Sequence, residues 1–367
     1  MRLLLQGNFA PAYRAPIFQL IDREIGCDFC FGDKLYDIKK MDYSSLMGQV
    51  KEVHNYITSF VEYQKGILKL LHQNYDTYII YTGTRCISVW MFLLYHKLFF
   101  PQKRVYAWTQ GMLGKEGWAK KWMYRCIFNM VNGGFIYNDR SRKLMIESGI
   151  PSHKMYTIYN SLDYDKQLPL RKSMKFTRLY QDHFGNDNKN IVFIGRLTKV
   201  KRFDLLIDAI ASLKKQGEYV NVTFIGDGVE RNTMEERVSE LGINNQVWFY
   251  GACYDEKTNA ELVFNADICV SPGNIGLTAM HVLMFGCPAI TNDDFDHQMP
   301  EFEAIQDGKT GAFFKAGDSN SLAECISSWF SLHKEDRETV RHACYSEIDS
   351  KWNPHVQIEI FKKILCE

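Results

Sequence analysis

A chain of 367 residues exceeds what one hydrophobic core organises, so two domains are expected. With 46% hydrophobic and 24% charged residues but only 9 Pro and 25 Gly, the composition excludes a disordered, collagen-like or low-complexity protein. Net charge is only +1, yet residues 1–180 hold 26 Lys and Arg against 14 Asp and Glu, while residues 181–367 hold 18 against 29. A basic first half faces something anionic: nucleic acid, an acidic membrane surface or a phosphorylated substrate.

In chain order, Met1 to Gly7 is too short an apolar run for a signal peptide and reads as a buried first strand ending in a glycine turn, which gives a cytoplasmic protein. The ten cysteines are scattered and read as reduced thiols; Cys27 and Cys30 have no second pair at metal-ligand spacing and read as structural. Residues 77–81, 105–108 and 134–137 are strand-like, with helical stretches between. The apolar run 87–100 is broken by His96 and Lys97 and stopped by Pro101, so nothing spans a membrane. Residues 99–104 and 117–125 interleave Lys and Arg with Trp, Tyr and Phe, as segments at an anionic membrane surface do; a half-buried helix with solvated lysines is the alternative. No nucleic-acid motif is present, so nucleic acid is not an expected partner.

A polar, aperiodic stretch puts a linker near 165–180. From residue 191 helix and strand alternate: strands at 191–195, 220–226, 247–251 and 268–272, helices at 204–210, 230–241 and 259–264. Short apolar strands separated by helices specify a parallel sheet covered on both faces, a Rossmann-like domain. The first half is expected to be a second α/β domain, and an amphipathic helix closes the chain through Phe361 and Ile364.

Several motifs follow in order: Gly195-Arg196-Leu197 after a strand, Lys201, Asp204 opening a helix, Gly226-Asp227-Gly228, Ser271-Pro272, Gly276-Leu277-Thr278, and the runs 286–290 and 307–311. This series resembles the donor domain of family 4 glycosyltransferases with the GT-B fold. The likeness in the first half is sparser, at 7–13, 108–111, 148–150 and 159–163. The resemblance implies an α/β GT-B protein with two Rossmann-like domains facing across a cleft. Residues 1–170 would bind acceptor, 171–353 would bind donor, and the helix 354–367 would cross back to the first domain.

A diphosphate leaving group gathers negative charge, which fixed cations and free backbone N–H groups stabilise. Arg196 and Lys201 sit in a loop after a strand, where parallel sheets form their ligand crevice, and by resemblance hold the diphosphate of a nucleotide sugar. The turn Gly273, Asn274, Ile275, Gly276, Leu277, Thr278 can cradle phosphate oxygens, and Gly195, Gly226 and Gly228 would face the nucleotide. The family carries two glutamates eight positions apart across this turn, where this chain has Gly273 and His281. His281 can still bond a ribose hydroxyl, Asn274 can contact sugar hydroxyls, and Glu301 or Glu303 can supply a displaced carboxylate. On the acceptor side the candidates are Asn8, Arg14 and Gln110.

No Asp-x-Asp pair ends a strand, and Asp294-Phe295-Asp296 lies in a loop, so neither metal nor cofactor is expected. The resemblance implies retaining transfer from a nucleoside-diphosphate sugar, UDP-sugar before GDP-sugar. The acceptor would be a glycan or a polyprenyl-diphosphate-linked oligosaccharide at the inner face of a membrane, in surface polysaccharide assembly. Two rivals stay open: a sugar-nucleotide epimerase or hydrolase, and a non-catalytic nucleotide-sugar binder.

Overall fold

The structure, a computed structural model, describes residues 1–35, 38–334 and 336–366. The chain divides into one unit of Met1–Tyr164 with the tail from Asn353, and a second of Asp165–Trp352.

The strands of the first unit are β1 (Leu3–Gly7), β2 (Cys27–Gly32), β3 (Val50–Val53), β4 (Asn55–Ile57), β5 (Glu62–Gln64), β6 (Thr77–Tyr81), β7 (Arg104–Thr109), β8 (Gly133–Ile136) and β9 (Met155–Thr157). Seven form one sheet in the order β3-β2-β1-β6-β7-β8-β9, all parallel, and β4 pairs with β5 as an antiparallel hairpin. The helices are α1 (Ala15–Ile25), α2 (Ile87–Phe99), α3 (Trp118–Met130) and α4 (Asp139–Glu147). Successive side chains of a strand point to opposite faces, so an apolar strand feeds two cores at once. Leu4, Tyr78, Ile80 and Ile136 join Val89, Phe92, Tyr124 and Phe128 of α2 and α3. Leu3, Leu5, Ile79 and Phe135 join Ile17, Phe18 and Ile21 of α1 on the other face. The buried Cys27 and Cys30 are packing residues of β2, their thiols pushed up by burial.

The second unit opens with α5 (Tyr164–Ser173) and α6 (Leu179–Phe184), where the sequence suggested a linker. The stretch is helical despite Pro169 because tertiary contacts, not periodicity, hold it. Gln167 Nε2 donates to Glu256 Oε1 at 2.8 Å, and Arg171 makes two bonds of 2.9 Å to Asp349. The unit boundary therefore falls at 164/165 rather than 170/171.

There follow β10 (Lys189–Ile194), α7 (Phe203–Lys215), β11 (Val220–Ile225), α8 (Arg231–Glu240), β12 (Val247–Gly251), α9 (Glu256–Asn265), β13 (Ile268–Ser271), α10 (Thr278–Met284), β14 (Ala289–Asn292), β15 (Gly311–Phe314), α11 (Ser319–Leu332) and α12 (Arg337–Ser350). The six strands are parallel in the order β12-β11-β10-β13-β14-β15. Asp255 caps α9 by accepting from Thr258 N–H, and Asp318 caps α11 by accepting from Asn320 and Ser321 N–H. The chain then returns to the first unit as α13 (Pro354–Cys366), whose Ile358, Phe361 and Leu365 complete the α1 core. No described helix is long and apolar enough to cross a membrane.

Candidate functional site

In an open parallel sheet the ligand crevice lies outside the carboxyl ends of the strands where strand order reverses. In the second unit that point falls between β10 and β13. The loop after β10 carries Gly195, Arg196 and Lys201, and the turn after β13 carries Gly273 to Leu277, so the sheet brings these predicted residues together.

Arg196 is exposed and, among the described residues, has neither an ion-pair nor a hydrogen-bond partner. Lys201 is half-buried, and its ammonium donates to the carbonyls of Asn274 at 2.5 Å and Ile275 at 3.3 Å. Burial pulls it from 10.5 down to about 8, against the opposing fields of Cys269 and the buried Glu301. The two cations thus differ: Arg196 stands open, while Lys201 is tied to the turn it supports.

The turn itself is held by side chains that the motifs did not reveal. Gln298 accepts from Ile275 N–H at 3.0 Å and donates to Gly273 O at 3.1 Å. Asn292 donates to the carbonyls of Pro272 and Gly273 at 2.8 and 3.0 Å, and the Thr291 hydroxyl lies 2.9 Å from Ser271 O. Asn274 donates to His297 O at 3.1 Å. The Thr278 hydroxyl donates to Ile194 O at 3.0 Å, tying α10 to β10.

The glycines permit a close approach of backbone to backbone. A Cβ on Gly273 would lie 1.9 Å from Val200 O and 2.8 Å from Lys201 C, and one on Gly226 would lie 1.9 Å from Gly195 O. Leu197 N–H bonds Asp227 O at 2.9 Å, and Gly273 N–H bonds Lys201 O at 2.8 Å. The loops after β10, β11 and β13 therefore stack backbone on backbone, and a glutamate at 273 has no room in this arrangement. Gly273→Ala is expected to cost about 1–3 kcal/mol by overpacking, since the neighbour is backbone and cannot swing away. A denaturation midpoint equal to that of the parent would refute the close approach.

His281 has a carboxylate partner. Its Nε2 lies 3.0 Å from Glu256 Oε1, and that oxygen also accepts from Gln167. Burial would raise the Glu256 carboxyl, but the bonds from His281 and Gln167 outweigh it and hold it below its usual value. A carboxylate thus stands beside position 281 although the residue there is histidine; it comes from α9, twenty-five positions away, where no local motif marks it. Glu301 is buried and Glu303 half-buried in the single turn Pro300–Ala304. Asp294, one of the loop acids, is bonded by both oxygens to His297 Nδ1 at 2.9 and 3.0 Å.

In the first unit Asn8 and Arg14 follow β1 and Gln110 follows β7, so all three lie beyond the carboxyl ends of central strands. The Arg14 guanidinium carbon sits 5.1 Å from the Tyr137 ring and 5.9 Å from that of Trp108, a cation held over aromatic faces. Asn8 O accepts from Asn55 Nδ2 at 2.6 Å.

Residues 179–345 match the family described as glycosyl transferases group 1. Over 332 residues, 89% of this chain and 81% of the relative, the sequence is 25% identical to an uncharacterized 41.2 kDa protein in the cps region of Klebsiella pneumoniae. Other curated relatives match over 26% to 37% of their own length. Among solved structures, the apo lipopolysaccharide outer core galactosyltransferase WaaB superposes with a TM-score of 0.73 at 15% identity, covering 100% of this chain and 99% of that one. Anabaena Alr3699/HepE in complex with UDP superposes with a TM-score of 0.70 at 16% identity, covering 100% of both. The fold is that of the GT-B glycosyltransferases, and within it residues 179–345 are similar to the glycosyl transferases group 1 family.

Proposed function

We propose that the chain transfers a sugar from a nucleoside-diphosphate sugar to a glycan or polyprenyl-diphosphate-linked acceptor, in the manner of family 4 and in surface polysaccharide assembly. UDP-sugars are the favoured donors, GDP-sugars next. One observation carries the reading: an exposed arginine, without a partner among the described residues, and a half-buried lysine flank the strand-reversal point of a parallel sheet. Fixed cations there stabilise the charge that grows on a departing diphosphate. The UDP held by the Anabaena neighbour and the cps region named for the Klebsiella relative support the donor and the pathway. Transfer would retain anomeric configuration: the sugar's bond to the diphosphate breaks, the acceptor oxygen bonds on the same face, and its proton passes to the departing phosphate. No metal is invoked: Asp294 of the 294–296 loop is engaged by His297.

The test is thermal shift with UDP, GDP, dTDP, CMP and their sugars in metal-free buffer. Ligand at a hundredfold excess over Kd stabilises by about 2.7 kcal/mol, readily seen as a raised Tm. One diphosphate nucleotide should raise Tm in the parent and not in Arg196→Ala. No shift with any nucleotide would refute the donor site. A shift without product under any acceptor would favour a nucleotide-sugar binder, and donor turnover without acceptor an epimerase or hydrolase.

A further inference from the structure

Helix α2 carries apolar residues on its outer face as well as its inner one. Its inner face, Val89, Phe92 and Leu93, is in the core, yet Ile87, Met91, Leu94 and Leu98 recur at helical spacing on the outer face and are exposed, Leu98 to 72%. An apolar face of this extent left in solvent marks an interaction surface rather than ordinary scatter.

Two neighbours extend it. Helix α3 lies alongside, and Trp90, Leu94, Trp122, Met123, Cys126 and Met130 line a mostly apolar groove of about 660 Å³ between the two helices. Trp118, one turn before Trp122, is 83% exposed. At the other flank the β4–β5 hairpin is anchored to the start of α2, with Glu62 N–H donating to Arg85 O at 3.0 Å and Arg85 Nη1 to Ser59 O at 3.2 Å. This hairpin carries Phe60 at its tip, 84% exposed.

Charge selects the occupant. On α3 the exposed Lys121 and Arg125 alternate with the tryptophans, and neither has an acidic partner among the described residues. Not every basic residue of the two sequence segments serves in this way. Lys103 donates to Leu71 O and Gln73 O, and Arg104 to Leu365 O, so both are internal fasteners. Open cations interleaved with tryptophan on an apolar face fit a headgroup layer, where the indoles take the interface and the cations meet lipid phosphates.

We propose that the outer face of α2 and α3, with the hairpin tip, docks the protein on an anionic phospholipid bilayer. The inference deepens the acceptor half of the function proposed above by giving the lipid-linked acceptor the surface on which it is met.

The experiment is co-sedimentation of the full chain with vesicles of phosphatidylglycerol and phosphatidylcholine, against phosphatidylcholine alone, with tryptophan fluorescence as a second readout. The parent should bind the anionic vesicles, shift its emission to the blue, and release as salt rises. Trp118→Ser with Trp122→Ser should weaken partitioning at least tenfold and remove the blue shift. Lys121→Glu with Arg125→Glu should weaken it comparably and abolish the salt dependence. Both pairs are exposed, so Tm should stay within a degree or two of the parent. Absence of binding by the parent, or undiminished binding by both variants, overturns the proposal. So does a dimer in solution that the tryptophan substitutions split, since a second copy would then be what covers this face. The vesicles contain no sugar nucleotide, so a chain that binds them without any nucleotide-dependent Tm shift keeps this face and loses the transferase reading. The reverse pattern does the opposite.

Discussion

Phe361→Ala is expected to destabilise the first unit by about 3–5 kcal/mol, the loss usual for emptying a buried aromatic site. The ring is fully buried, 4.3 Å from the centroid of Phe135 and 5.1 Å from that of Trp108, so it fills the space between α1 and strands β7 and β8. No other residue of α13 can close the hole. Ile358 and Leu365 flank it along the helix and already belong to the same core. Two polar ties of the tail, Lys362 with Glu24 and Arg104 with Leu365 O, lie at the surface or half-buried and add little by comparison, while a buried one, Ser161 Oγ donating to Gln357 Oε1 at 2.6 Å, is left intact by this substitution. Native-state hydrogen exchange is the measurement: protection should fall across β7, β8 and α1 and persist across β10 and β11. Uniform loss over both sheets would refute this assignment of the tail to one core. The same geometry orders folding, because the core of the first unit is complete only after the tail from Pro354 is made.

How much of this was legible follows from where each signal resides. The strands β10, β11 and β13 are short apolar runs buried on both faces, and the helices between them are amphipathic, so local pattern was enough. Strand β2 mixes Asp28 among its apolar residues, β3 is Val-Lys-Glu-Val at a sheet edge, and the hairpin is polar; these are fixed by pairing with distant strands, which one sequence does not display. The site divides the same way. Arg196 and Lys201 announced themselves because cations after a strand have a chemical reason to be there. Gln298 and Asn292, which hold the 272–275 turn, come from another loop, and Glu256 reaches His281 across the fold. Gly273 looked like a lost acid, whereas the structure makes it a backbone contact that any side chain would break.

Lys201→Met is expected to lower kcat by about a hundredfold to a thousandfold, the usual loss when one group that stabilises developing charge is removed. The pH dependence gives the sharper reading. Buried against the turn, the ammonium of the ligand-free protein titrates near 8 instead of 10.5. A bound diphosphate brings negative charge and raises that value, so above pH 8 binding must take up a proton. Affinity for a nucleoside diphosphate should therefore be flat below about pH 8 and fall towards tenfold per unit above it, and Lys201→Met should bind more weakly without that slope. Stability follows the opposite sign. Because the folded-state value is depressed, the unfolded chain holds more protons between about 8 and 10.5, so the cost of burying this cation is full below 8 and fades as pH rises through that window. The ligand-free parent should thus gain stability on Lys201→Met as pH rises from 8 to 10, while its nucleotide affinity declines. Parent and variant that change in parallel would show that Lys201 only braces the carbonyls of Asn274 and Ile275, leaving the diphosphate to Arg196 and the backbone.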